Sequence, residues 1–146
     1  MSRTATSIIS VDQWVDDVLG KAQYNSPAAQ ASAYAPSNIA LSKYWGKREI
    51  SFNLPVTGSV SISLAEHGTK TGLSVIDAPQ HQVTLNGEEI DANQGFATKI
   101  SQWLDRVLPN NLKLWVDTHN TVPTAAGLAS SASGFAALTL ATNSLM

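Results

Sequence analysis

The sequence predicts an α+β fold, a mixed or antiparallel sheet packed by helices. Three observations carry this: a capped amphipathic segment near the start, a strand-rich middle, and a small-residue turn leading from a strand into an Ala-rich helix. The order is helix, several strands, helix, strand, turn, helix, which lacks the regular strand–helix alternation of a doubly wound sheet.

In chain order, residues 1–9 read as a loose end. Ser10 is placed to cap a helix over "SVDQWVDDVLGKA", with Gln13 in the capping-box position. Val11, Trp14, Val15, Val18 and Leu19 form its apolar stripe. Residues 25–32 form a small, polar connector. "ASAYAPSNIALSKYW" is extended and broken at Pro36. "SVSISLAE" alternates Val60, Ile62 and Leu64 against serines, the pattern of a strand with one buried face. "TGLSVIDA" is the next strand, and Asn86-Gly87 predicts a hairpin over Gln82–Ile90. "NQGFATKISQWLDRVL" reads as a helix with Phe96, Ile100, Trp103, Leu104, Val107 and Leu108 on one side, stopped by Pro109. "LKLWVDTHN" is a strand, and "ASGFAALTLATNSLM" the last helix.

The chain has 146 residues, enough for one domain or one lobe of a larger one. With 43% hydrophobic and 14% charged residues it can bury a core, and a net charge of −2 supplies no broad basic field for nucleic acid. The absence of cysteine excludes disulfides, thiolate metal sites and a Cys nucleophile. No apolar run is long enough to span a bilayer, and the start lacks the pattern of a signal peptide. A cytoplasmic protein without a membrane partner is the expectation. The last helix reaches Met146 without a C-cap or polar tail, so the expectation is also that this is part of a longer protein.

Chemistry concentrates in two stretches. In "PTAAGLASSASG" (123–134) no side chain exceeds Leu128 in bulk. It joins a strand to a helix, whose N-terminus carries unpaired N–H groups and partial positive charge. Small residues let an anion approach those groups, and Ser130 and Ser131 add hydroxyls or a metal ligand. The alternative is that small residues merely permit close packing and serine caps a helix. There is no Walker Gly-Lys-Ser/Thr. In "APSNIALSKYWGKRE" (35–49), Lys43, Lys47 and Arg48 cluster around Gly46, beside Tyr44 and Trp45. Such cations suit phosphates; the alternative is a solvated strand end with the aromatics on the core.

Taken in order and spacing, "APSNIALSKYWGKRE", "NLPVTGSVSISL" and "NTVPTAAGLASSASGFAAL" closely resemble the diphosphomevalonate decarboxylase family of the GHMP kinase superfamily. The resemblance covers about 34–146, with 1–33 as an N-terminal extension carrying a short helix. It implies a GHMP-kinase-type two-layer N-terminal domain, incomplete here. It also implies ATP- and Mg²⁺-dependent decarboxylation of mevalonate 5-diphosphate to isopentenyl diphosphate, on a homodimer. By the resemblance, Tyr44, Trp45, Gly46 and Lys47 bind substrate and Asn38 helps to order it. Gly127, Leu128, Ala129, Ser130, Ser131 and Ala132 form the ATP-phosphate loop, with Ser131 facing the phosphates and metal. The roles of Lys43 and Arg48 stay open; His119 and Asn120 are expected to be structural, and His67 and His81 exposed in loops.

Two departures matter. Where the family usually carries an arginine toward the substrate diphosphate, this chain has Gln94, and no arginine until Arg106. A decarboxylase acting on the monophosphate is therefore an alternative. The family's catalytic aspartate and a Gly/Ser/Arg substrate loop are expected beyond Met146. The 146-residue stretch alone is accordingly expected to be inactive, and a non-catalytic binding or assembly module is the remaining alternative.

Overall fold

The computed structural model describes residues 10, 13, 17, 27–43, 45–122 and 130–146. Strands β1 (Gln30–Ser42), β4 (Val60–Ile76), β7 (Lys113–Asn120), β5 (Gln82–Leu85) and β6 (Glu88–Ile90) form a five-stranded sheet in the order β1-β4-β7-β5-β6. β5 and β7 are parallel and the other pairs antiparallel, so the sheet is mixed as predicted. β2 (Lys47–Glu49) and β3 (Leu54–Pro55) make a separate two-stranded ribbon. Among the described residues, helices α1 (Gly95–Val107) and α2 (Ser130–Leu145) supply the second layer.

One core joins the layers. Leu73, Val83, Leu114 and Val116 of the sheet meet Ile100, Leu104 and Leu108 of the α1 region and Leu138, Ala141 and Leu145 of α2. α2 lies close over β1 and β4, and its small inward residues, Ser133, Ala137 and Ala141, are buried. The opposite sheet face carries Tyr34 and Trp115, both partly exposed. Asn86 and Gly87 adopt φ of 54° and 86°, the left-handed turn the hairpin requires. Near the start, Ser10 Oγ accepts the Gln13 N–H at 3.1 Å and Gln13 Oε1 accepts the Ser10 N–H at 2.9 Å, the reciprocal bonds of a capping box. The rest of the predicted N-terminal stripe lies outside the described residues.

Several expectations are corrected. β1 runs through Pro36 rather than breaking there. The two strands predicted over 59–66 and 71–78 are one, β4, with an irregularity in it. Between Pro36 and Asn38 the partner on β4 changes from Gly68 to Ser63, leaving residues 64–67 as a bulge, with Ala65 at φ 51°. Val60 and Ile62 do not face a core: they are 61% and 53% exposed. β7 pairs only with Thr69–Ile76, so the first half of β4 extends beyond the layer that would cover it. Phe96 is partly exposed rather than packed in the α1 stripe.

His81 is buried, not an exposed loop residue. Its Nδ1 accepts the Leu114 N–H at 3.0 Å, which leaves Nε2–H to donate to Asp105 Oδ1 at 3.2 Å. Lys113 Nζ lies 2.6 Å from the same carboxylate oxygen. Burial holds the His81 pKa below its ordinary value, against the opposing pull of Asp105. Burial alone would raise the Asp105 carboxyl; Lys113 and His81 outweigh it and hold the carboxyl low. The fold therefore needs His81 neutral, because a protonated Nδ1 would face a backbone donor.

Next to the bulge, β1 passes β4 at a point with no room for a side chain. A Cβ on Gly68 would overlap the Ala35 carbonyl oxygen and lie 2.6 Å from Pro36 Cα. Gly68→Ala is expected to destabilise by about 1–3 kcal/mol. Gly72→Ala, whose nearest neighbour is Asp117 O at 3.8 Å, should stay within about 1 kcal/mol of the parent; urea midpoints measure both. For His81, the unfolded chain takes up a proton first as pH falls below about 6.5. Its contribution is thus intact above that pH and lost as pH falls through the folded-state value. Between pH 7 and 5, the melting temperature should fall more steeply for the parent than for His81→Gln, which keeps an acceptor without a titrating ring. Equal slopes would contradict this role.

Candidate phosphate-loop site

α2 begins at Ser130, two residues before the predicted start, so Ser130, Ser131 and Ala132 form its first turn. Ser131 and Ala132 are exposed, and the turn carries no acidic side chain. An anion could therefore meet the helix N-terminus and the Ser131 hydroxyl without a competing negative charge. Gly127, Leu128 and Ala129, also predicted for the loop, lie outside the described residues.

Beside Ser131 is a cavity of about 250 Å³ between α1 and α2 over the sheet. Phe96, Ile100, Val116, Phe135 and Leu138 give it apolar walls; Lys99, Thr71, Thr118 and Ser131 supply polar groups. Thr71 and Thr118 hydroxyls bond each other across the strands at 3.1 Å. An apolar cleft with few polar groups beside an anion-binding turn suits a ligand that is flat and apolar at one end and phosphorylated at the other. Sequence reasoning missed Phe96, Lys99 and Phe135 as cavity residues. Phe96 was assigned to the core by its periodicity; its place in the first turn of α1 (which overhangs the cavity) was the only available signal.

The segment between β7 and α2 is fixed at both ends. Upstream, Thr121 and Gly68 exchange bonds: Thr121 N–H donates to Gly68 O at 2.9 Å and Gly68 N–H to Thr121 Oγ1 at 2.8 Å. Asn120 N–H donates to Asn86 Oδ1 at 2.8 Å, so Asn120 is structural, as expected. His119, at the end of β7, reaches Asp117 at 3.2 Å. Downstream, the Ser133 hydroxyl lies 2.8 Å from Thr69 Oγ1 and 3.1 Å from Ser37 Oγ. Asn38, next along β1, is exposed.

The other predicted residues stand apart. Trp45 is 84% exposed, so it neither packs on the core nor walls this cavity. Gly46 has φ 77°, in the left-handed region that favours glycine. Lys47, on β2, is exposed and donates to Asn53 Oδ1 at 2.8 Å; Lys43 and Arg48 are exposed too. Among the described residues, none of these bonds to α2. Tyr44 lies outside the described residues. Gln94 is the N-cap of α1 and makes no side-chain capping bond. Among the described residues no group of three or more His, Asp or Glu gathers to hold a metal, and no helix is long and apolar enough to cross a membrane.

The family model for the diphosphomevalonate decarboxylase-like N-terminal domain matches residues 35–146. Diphosphomevalonate decarboxylase of Saccharomyces cerevisiae is 37% identical, the match covering 74% of this chain and 31% of the relative. The crystal structure of mevalonate diphosphate decarboxylase from Staphylococcus aureus superposes with a TM-score of 0.68 at 39% identity, covering 80% of this chain and 36% of that one. MDDEF in complex with MVAPP, AMPPCP and magnesium matches at a TM-score of 0.54 and 37% identity, over 80% of this chain and 36% of that one. The chain thus spans about a third of the length of the relatives it matches. With a domain model matching residues 35–146 and a shared mixed-sheet fold, the chain belongs to the diphosphomevalonate decarboxylase-like family.

Proposed function

We propose that this chain supplies the nucleotide-phosphate site and part of the substrate site of an ATP- and Mg²⁺-dependent decarboxylase of mevalonate 5-diphosphate. The observation that carries the reading is the exposed Ser131 at the start of α2, opening onto the cavity between Phe96 and Phe135. The relative solved with MVAPP, AMPPCP and magnesium supports an ATP-type ligand with its metal. Residues 34–146 are read as the N-terminal part of the decarboxylase domain, and the working form as a cytoplasmic homodimer.

The residues present fit such a ligand. The aromatic walls would hold the base by stacking and burial. Lys99 and the first-turn N–H groups would offset phosphate charge, and Ser131 Oγ would donate to a phosphate oxygen or contribute to the metal's shell. With no acidic cage among the described residues, the metal would be held largely by the phosphates. When bound, ATP supplies the phosphoryl group that makes a tertiary 3-hydroxyl a competent leaving group as CO₂ departs. Asn38 and the Tyr44–Lys47 run would order the substrate. A second reading, action on the monophosphate, is favoured by the uncharged Gln94, whose side chain makes no capping bond at the head of α1.

Mg·ATP is expected to raise the melting temperature of the chain in a concentration-dependent way. If the diphosphate reading holds, mevalonate 5-diphosphate should add to that shift more than the 5-monophosphate does. Gly134 lines the cavity and a Cβ there meets nothing within 4 Å. Gly134→Ala should therefore add about 0.5–1 kcal/mol of stability, and Gly134→Leu should keep the fold while abolishing the Mg·ATP shift. An unchanged shift in Gly134→Leu would place the nucleotide elsewhere.

A further inference from the structure

A buried chain of hydroxyls crosses the molecule beneath the first turn of α2. Ser37 of β1, Thr69 of β4 and Ser133 of α2 are 1%, 1% and 3% exposed. Thr69 Oγ1–H donates to the amide oxygen of Asn120 at 2.7 Å, and the Ser133 hydroxyl donates to the Ser130 carbonyl at 3.1 Å. The Ser133 oxygen also lies 2.8 Å from the Thr69 hydroxyl and 3.1 Å from that of Ser37, within hydrogen-bond reach of both. The chain runs Ser37 to Ser133 to Thr69 to Asn120, tying β1, α2, β4 and β7 at one point.

At that point β4 holds one residue on each side of residues 123–129. Gly68 holds Thr121 on the upstream side and Thr69 holds Ser133 on the downstream side. Two adjacent residues of one strand thus set the separation of the two ends. Ser133 follows Ser131 by two positions, and Ser37 precedes Asn38. We propose that Thr69 and Ser133 are positioning residues for the nucleotide-phosphate site: their hydroxyl chain sets the pose of the first turn of α2, and with it the Ser131 hydroxyl. The proposal rests on the nucleotide reading above.

The test compares Thr69→Val, Ser133→Ala, Ser37→Ala and the conservative Thr69→Ser in the whole chain. Two readouts are taken: hydrogen exchange along α2, and Mg·ATP affinity from the ligand dependence of melting. Thr69→Val removes the central link and leaves Asn120 without its donor, so its effect should be largest. Ser37→Ala removes only a terminal hydroxyl, so its effect should be smallest. Exchange over 130–136 should quicken about fivefold to tenfold in Thr69→Val and Ser133→Ala, with 139–145 unchanged. Mg·ATP affinity should fall by a similar factor, and Thr69→Ser should restore both. Faster exchange spread evenly along α2, or parent-like affinity in Thr69→Val, would overturn the positioning role. A parent chain with no response to Mg·ATP would instead remove the nucleotide reading, and the proposal with it, whatever the variants do.

Discussion

The arrangement depends on one steric constraint, the passage of β1 across Gly68 of β4. The backbone of Ala35 and Pro36 occupies the volume where a side chain on residue 68 would stand. Close approach there lets β4 bulge over 64–67 and resume pairing at Ser63. Ser37 continues the inward alternation of Ala33 and Ala35 along β1 and reaches Ser133, while Asn38 faces out. The glycine thus sits where β1 passes closest to β4, beside the buried hydroxyls that tie α2 to the sheet.

The small-residue stretch from 123 to 134 admits two readings, close packing or an anion cradle, and its described part, residues 130–134, is compatible with both. Ser133, and then Ala137 and Ala141 further along, are inward and buried, allowing α2 to lie near β1 and β4. Ser131 and Ala132 point the other way and are exposed. Small side chains on the inner face bring the helix close; small side chains on the outer face leave its N-terminus approachable. A bulky residue would interfere on either face, for different reasons.

Much of the scaffold was legible because its signals are local. Asn86-Gly87 needs left-handed backbone that few other pairs supply, and the α1 stripe repeats at helical spacing. Ser10 and Gln13 find each other because they are three positions apart. The unreadable parts depend on distant partners. His81 looks like a loop residue in "PQHQ"; its burial follows from Leu114 and Asp105, 33 and 24 positions away. Ser133 meets Ser37 and Thr69 across separations of 96 and 64 residues, and no spacing rule links three ordinary hydroxyls. The length of β4 was hidden because Ala65 takes a left-handed φ without the glycine or asparagine that usually announces it. In the site, Ser131 was legible from its motif, whereas Lys99 and Phe135 gain their places only when two helices meet over the sheet.

In the proposed reading, β4 holds Thr121 and Ser133, and Ser131 and the neighbouring cavity receive a nucleotide. The most direct measurement is a backbone amide NMR map of the chain titrated with magnesium and AMPPCP. The account predicts shifts concentrated at residues 95–100, 116–118 and 130–135, where α1, β7 and α2 enclose the cavity. Shifts centred instead on the opposite sheet face around Trp115, or none at saturating ligand, would contradict it.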